Sequence, residues 1–254
     1  MKHLQTFAEG AARFSVAAAA PVRHQLVVFP HAGGGVDFYR SWRDCLPAHV
    51  DLIVMQYPGP TRSDAFPAWN DPREAIRRCM RGLASLLGIA PITFFGHSMG
   101  ALLALHVASA LVSSRFRVTQ LVLSSQMTPP ALLATLRTAQ DLERLAEEAL
   151  GLGEVADPAR LDADLRAAVA SAVTRDLGLL QQLARRPVGD IPTTRIFGGR
   201  DDPLISTEAL ADWPRFLQQS SAMEVFPGGH FYHRNQVQAV VDAILKPHLA
   251  SLAA

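Results

Sequence analysis

Short apolar runs, rich in β-branched and aromatic residues, recur along the chain at 25–29, 52–56, 92–95, 120–124, 194–197 and 223–226. Most do not alternate with polar residues. Strands buried on both faces of a parallel sheet read this way, because helices cover each face. Stretches with helical spacing lie between them. Asp71-Pro72-Arg73-Glu74 has the chemistry of a helix start: Asp71 can cap, Pro72 suits the first turn and Glu74 can reach back as in a capping box. That helix is predicted to run to about Leu87. Others are predicted from Ser98 to about Leu111, with Leu102, Leu105 and 107–111 turned inward, and over 206–218 and 236–252. Strand–helix alternation implies βαβ units with right-handed crossovers.

One region departs from that rhythm. Between 127 and 187 no strand pattern occurs. Leu142, Leu145, Ala146 and Ala149 recur at helical spacing. Asp157-Pro158 is a second helix start, and Leu165, Val169, Val173, Leu177 and Leu180 form its apolar stripe. We read this region as a helical lid over the strands' C-terminal ends, where sites in open α/β sheets lie. Ordinary packing helices are the alternative.

Charge changes the picture by exclusion. The 254 residues carry 24 Lys+Arg and 23 Asp+Glu, a net +1, with no long run of one sign. The footprint of a nucleic-acid binder and a polybasic membrane patch are both missing. No apolar stretch is long enough to span a bilayer. The apolar patch at 14–20 is short and follows Glu9 and Arg13, unlike a secretory signal. The segment from Met1 to Pro21 is read as a loosely ordered lead-in to the first strand, and a cytoplasmic location is expected. Cys45 and Cys79 lie in no metal-binding spacing and are expected to be reduced, with no metal bound.

The chemistry begins at Gly96-His97-Ser98-Met99-Gly100, which follows an apolar strand and opens a helix. Such a serine occupies a tight, strained turn that exposes its hydroxyl, and small flanking residues let strand and helix approach. A serine hydroxyl is a poor nucleophile until a histidine takes its proton and a carboxylate orients that histidine. Both follow in chain order. Gly198-Gly199-Arg200-Asp201-Asp202-Pro203 leaves one strand, and Pro227-Gly228-Gly229-His230-Phe231 leaves the next. Asp202 is favoured over Asp201 because Pro203 biases it toward an extended backbone. Of nine histidines, His230 is the best-placed base and His233 the runner-up. His97 is expected to pack beside the nucleophile. His3, His24, His49, His106 and His248 have no motif context. The glycine loop Pro30-His31-Ala32-Gly33-Gly34-Gly35 can aim backbone N–H groups at a developing oxyanion, with Ala32 and Met99 as the candidate donors. It lacks the phosphate- and dinucleotide-binding patterns.

These features predict an α/β-hydrolase fold: a mostly parallel central sheet flanked by helices, with a helical lid inserted before the acid-bearing strand. A single domain is expected over 1–254, with its core at 22–126 and 188–254 and its lid at about 127–187.

A more specific resemblance rests on Phe29-Pro30-His31-Ala32-Gly33-Gly34, Phe38-Tyr39, Trp42, Leu46-Pro47, Gln56-Tyr57-Pro58-Gly59 and the Ser98 motif. Arg175-Asp176-Leu177, Gly198-Gly199 with Asp202-Pro203, and Gly229-His230-Phe231 extend it. Together they resemble the type II thioesterases, stand-alone editing enzymes of nonribosomal peptide and polyketide synthesis. The resemblance implies hydrolysis of acyl groups from the phosphopantetheine thiol of acyl or peptidyl carrier proteins. It implies Ser98, Asp202 and His230 as the triad and the backbone N–H groups of Ala32 and Met99 as the oxyanion hole. The lid would shape the acyl channel, no metal or diffusible cofactor would be needed, and a monomer is expected. The chain departs from the family at Pro60, where arginine usually follows the Tyr-Pro-Gly segment; Arg62 comes two places later. Its lid matches only at 175–177. A generic carboxylesterase or lipase, an acyltransferase, and a non-catalytic binding protein are the competing readings.

Overall fold

The computed structural model describes residues 3–8, 10–16, 21–58, 69, 71–152 and 163–253. Eight strands form one sheet: β1 (His3–Ala8), β2 (Ala11–Val16), β3 (His24–Phe29), β4 (Val50–Met55), β5 (Ile92–His97), β6 (Val118–Ser124), β7 (Thr193–Gly199) and β8 (Ala222–Phe226), in the order β1-β2-β4-β3-β5-β6-β7-β8. From β4 to β8 every pairing is parallel. This is the mostly parallel sheet that the apolar runs predict, and each run lies within a strand or extends one residue past it.

The runs are continuously apolar because both faces are covered. Along β3, Val27 and Phe29 join the core on one face, and Leu26 and Val28 the core on the other. The first face carries α2 (Pro72–Ala84), α3 (Met99–Leu111) and α6 (Ala163–Ala184). The second carries the short α1 (Val36–Tyr39) and α9 (Val237–Ala253), whose Val240, Val241, Ile244 and Leu245 are buried. In α3 every residue from Met99 to Ala108 is buried, while Ala110 is exposed. The inward face is therefore wider at its start than the sequence suggests, and narrower at its end.

Strand order sets the position of the site. The chain leaves β3 for β4 on one side, then crosses to β5 on the other. That reversal opens a crevice at the C-terminal ends of β3 and β5, where open α/β sheets bind ligands. The region read as a lid contains no strand among its described residues and carries three helices: α4 (Pro129–Thr135), α5 (Ala139–Gly151) and α6. The predicted helix start at Asp157-Pro158 lies outside the described residues, as do Gly59, Pro60 and Arg62. Among the described residues no helix is long and apolar enough to cross a membrane.

Three local expectations are corrected. The loosely ordered lead-in is a β-hairpin: β1 pairs antiparallel with β2, and β2 antiparallel with β4, Phe14 facing Leu52. Gly10 takes φ +72°, as a tight hairpin turn requires. The predicted helix over 206–218 is two, α7 (Thr207–Ala211) and α8 (Trp213–Leu217). Pro214 has no N–H to continue the first helix, and it fits the first turn of the next. Asp71 caps α2 through Glu74 N at 3.1 Å, but the Glu74 carboxylate turns to Arg78 at 2.5 Å instead of closing a capping box. Both cysteines are free thiols.

The hairpin is joined to the core through Phe14, only 4% exposed and packed with the β4–α9 layer. Phe14→Ala is expected to lower the unfolding free energy by about 3 kcal/mol, as other buried Phe-to-Ala changes do. Urea denaturation would measure it, and a loss within the noise of a surface substitution would place the hairpin outside the cooperative unit.

Candidate active site

Ser98 stands between β5 and α3 with φ 54° and ψ −124°. A non-glycine residue is strained at positive φ. Two features hold it there. Ser98 N donates to Ser124 O on the neighbouring strand at 2.8 Å. The flanking glycines admit backbone where a side chain would lie: a Cβ on Gly96 would sit 2.4 Å from Gly100 O, and one on Gly100 would sit 2.1 Å from Phe29 O. Helix α3 therefore starts in contact with the end of β3. Met99 opens the helix, where amides lack intrahelical partners and the dipole favours negative charge.

The acid and base loops meet by the same device. A Cβ on Gly199 would lie 2.1 Å from Gly229 O, and Asp201 N donates to Gly228 O at 2.9 Å. The two loops cross at backbone distance. His230 Nδ1 and Asp202 Oδ2 consequently share a hydrogen bond of 2.9 Å, with the Asp202 side chain fully buried. The other carboxylate oxygen, Oδ1, accepts from Leu204 N at 2.9 Å and Ile205 N at 3.1 Å. Asp201 is exposed. His233 is buried with neither ring nitrogen hydrogen-bonded, its ring stacked on Tyr39. Geometry thus pairs Asp202 with His230 and leaves both runners-up elsewhere. Among the described residues no group of three or more metal-ligating side chains is arranged to hold an ion.

Ser98, His230, His31 and Ala32 line one cavity of about 510 Å³. Its remaining wall is largely apolar. Leu132 comes from α4, Leu145 and Ala149 from α5, Leu177 and Leu180 from α6, and Ile205 from the acid loop. Arg144 and Glu148, paired at 2.9 Å on α5, add charge to the lining. The lid helices thus form part of the cavity that holds the serine.

The glycine loop is fixed by residues whose role the sequence did not disclose. Tyr57 Oη donates to Pro30 O at 3.1 Å. Gln56 Oε1 accepts from Val36 N at 3.0 Å, and Gly35 leaves room for that amide. Asp176 Oδ2, from α6, accepts from Gly33 N at 2.9 Å. Beside it, Arg175 Nη2 donates to Pro58 O at 2.9 Å. Burial pushes the Asp176 carboxyl up to about 6, against the opposing pull of Gly33 N–H and Arg175. Each of these residues lies in a segment that carries the family resemblance, and that was their only signal.

Behind the serine lies a cluster of neutral imidazoles. His97 Nδ1 shares a 2.9 Å hydrogen bond with Ser124 Oγ, which shares one of 2.7 Å with Tyr232 Oη. The His97 ring centroid is 5.0 Å from that of His230 and 4.4 Å from that of His233. Burial, then His230 nearby, pushes His31 down to about 3. Burial and neighbouring histidines also hold His97 and His233 well below the ordinary range. On unfolding these rings return to a pKa near 6.5 and take up protons that the folded protein excludes. Their contribution is complete above that value and is lost as pH falls below it. Between pH 7 and pH 5 the unfolding free energy is expected to fall, by about 2 kcal/mol from His31 alone, with His97 and His233 acting in the same direction. His233→Phe, which sacrifices no hydrogen bond, is expected to flatten part of that fall. Urea denaturation at the two pH values checks this, and an unchanged difference in the variant would contradict it.

Comparison with known proteins places this geometry in a family. The thioesterase-domain family model matches residues 24–247. The phenyloxazoline synthase MbtB of Mycobacterium tuberculosis is 33% identical over 224 residues, covering 86% of this chain and 16% of that protein. The chain thus spans about a sixth of the length of that synthase. A probable cadicidin biosynthesis thioesterase of Streptomyces griseus is 27% identical, covering 95% of this chain and 67% of the relative. Among solved structures, the RedJ thioesterase of the prodiginine pathway in Streptomyces coelicolor superposes with a TM-score of 0.74 at 26% identity, covering 91% of this chain and 90% of that one. The matched span takes in the serine turn, the glycine loop and the acid and base loops together, and the chain belongs to the thioesterase-domain family.

Proposed function

We propose that this protein hydrolyses acyl thioesters on the phosphopantetheine arm of acyl or peptidyl carrier proteins, as an editing enzyme of nonribosomal peptide or polyketide synthesis. One observation carries the reading: a strained serine at a helix N-terminus shares a largely apolar cavity with a histidine that is hydrogen-bonded to a buried carboxylate. A carrier-bound acyl chain is apolar and its thioester carbonyl must reach the serine, and the lid helices supply the matching wall.

The chemistry follows in two halves. Asp202 holds His230 by Nδ1, which leaves Nε2 free to act as base. His230 takes the Ser98 proton as Oγ attacks the carbonyl carbon. The resulting oxyanion faces the N–H groups of Ala32 and Met99, which stabilise charge that the ground state lacks. Collapse expels the phosphopantetheine thiol, which leaves with the proton from His230, and Ser98 is acylated. Water, deprotonated by His230, attacks the acyl-serine. The second intermediate collapses to free acid and the serine, which recovers its proton from His230. Every step uses groups of the chain and its substrate, so we propose no metal and no diffusible cofactor. The protein is taken to act as a cytoplasmic monomer.

Mass spectrometry of acyl loss from an acylated carrier protein tests the proposal. Turnover is expected with the wild type, and Ser98→Ala is expected to lose it by a factor of at least about 10⁴. Asp202→Asn is expected to lower kcat by about 10⁴-fold through misoriented imidazole. Faster hydrolysis of simple oxygen esters than of the carrier thioester would instead assign the site to an esterase.

A further inference from the structure

We propose that Asp176, on helix α6, is a positioning residue that aims the Ala32 N–H at the oxyanion, resting on the serine-hydrolase reading above. Two consecutive peptide planes set the direction of that N–H. Ala32 N–H belongs to the peptide that joins it to His31, and the carbonyl of that same peptide, His31 O, accepts from Gly34 N at 3.0 Å. The next peptide joins Ala32 to Gly33, and its N–H is the one that Asp176 Oδ2 holds at 2.9 Å. Fixing both planes that flank the Ala32 Cα fixes the direction of the Ala32 N–H. Backbone bonds within the turn secure one plane. A side chain from a distant helix, 143 positions along the chain, secures the other.

That second anchor is needed for two reasons. Gly33 adopts φ +74°, a conformation that glycine reaches without strain, and it also reaches negative φ as readily. The chain after Gly33 can therefore turn about its N–Cα bond at little steric cost, so an anchor on the Gly33 N–H adds restraint to the turn. Asp176, moreover, is almost fully buried. Burying a carboxylate is costly unless its oxygens are satisfied. Here one oxygen receives Gly33 N–H, and the other faces Arg175 Nη2 at 3.6 Å. Arg175 is itself tied to Pro58 O, so the acid is held from α6 and from the loop after β4.

The same turn of α6 carries Leu177, which lines the cavity, with Leu180 one turn further on. The helix that contacts the acyl group therefore also holds the donor loop. Asp176 sits behind the loop and acts through its backbone.

The test compares wild type with Asp176→Ala, Asp176→Leu and Asp176→Asn. Leucine approximates the shape of aspartate without an acceptor, so it remains informative if alanine leaves a destabilising cavity. Asparagine keeps an acceptor for Gly33 N–H and removes the charge. Two measurements are made: kcat and KM on an acylated carrier protein, and the inhibition constant of an alkylboronic acid, whose tetrahedral adduct on Ser98 places an oxygen at the oxyanion position. With Ala or Leu, kcat is expected to fall by about 10²-fold, with KM within about twofold, and boronate affinity to weaken by a similar factor. Asparagine is expected to restore both to within about threefold of wild type, since the restored contact is the hydrogen bond itself. If Ala or Leu variants that melt cooperatively keep wild-type kcat and boronate affinity, the proposal is overturned. It is overturned equally if asparagine behaves like leucine in both measurements. The boronate arm reads the oxyanion hole without any carrier thioester, so a wild type that ignores carrier thioesters would defeat the proposed substrate and leave the Asp176 comparison decisive.

Discussion

The contact on which the site depends is the one between Gly100 and the carbonyl oxygens of Phe29 and Pro30. A Cβ on Gly100 would lie 2.1 and 2.3 Å from those oxygens, so helix α3 can start against the end of β3 only because no side chain intervenes. Everything else in the crevice is measured from there. Close docking of α3 brings the Ser98 turn beside the glycine loop that leaves β3. It also forces the backbone of Ser98 into its positive-φ conformation, a cost that the surrounding sheet must offset. The offset is visible in the parallel pairing of β3 with β5 and β5 with β6, which holds the turn on both sides.

Polar groups near the site are handled by two opposite means. Asp202 is buried with every oxygen satisfied, and it orients His230 without needing solvent. His31 and His233 are instead buried with both ring nitrogens unpaired, and His97 with Nε2 unpaired, and burial and mutual repulsion oppose their protonation. Aromatic rings pack among them, with Phe38 and Phe231 each 4.7 Å from His31. His230 is the imidazole of this cluster that is hydrogen-bonded to a carboxylate.

The sequence was most legible where local chemistry and global position agree. The strands at 25–29 and 92–95 could be read because parallel strands need apolar residues on both faces, and the glycines around Ser98 because the turn tolerates nothing larger. Asp202 and His230 could be placed in the same crevice because both loops leave the same ends of adjacent strands. The N-terminal hairpin could not be read. Ala11 and Ala12 carry little hydrophobic signal, Arg13 interrupts the run, and β2 is defined by its pairing with β4. Asp176 was equally opaque. Its partner is a backbone N–H, and no residue type in the glycine loop marks which of its amides is held. Gln56 and Tyr57 share that property, since a side chain bonded to main chain leaves no complementary side chain to find.

Helix α6 carries a consequence for how such a site can diversify. Its residues Leu177 and Leu180 face the cavity, while Asp176 holds the glycine loop from the same turn. Substitutions that reshape the cavity from this side would also bear on the glycine loop that Asp176 holds. Leu132 on α4 and Leu145 on α5 bear no such second duty among the described contacts. Variation in the cavity lining is therefore free to accumulate on α4 and α5, whereas α6 is also tied to the glycine loop. An engineer wishing to reshape the cavity should begin at Leu132 and Leu145 and leave α6 alone.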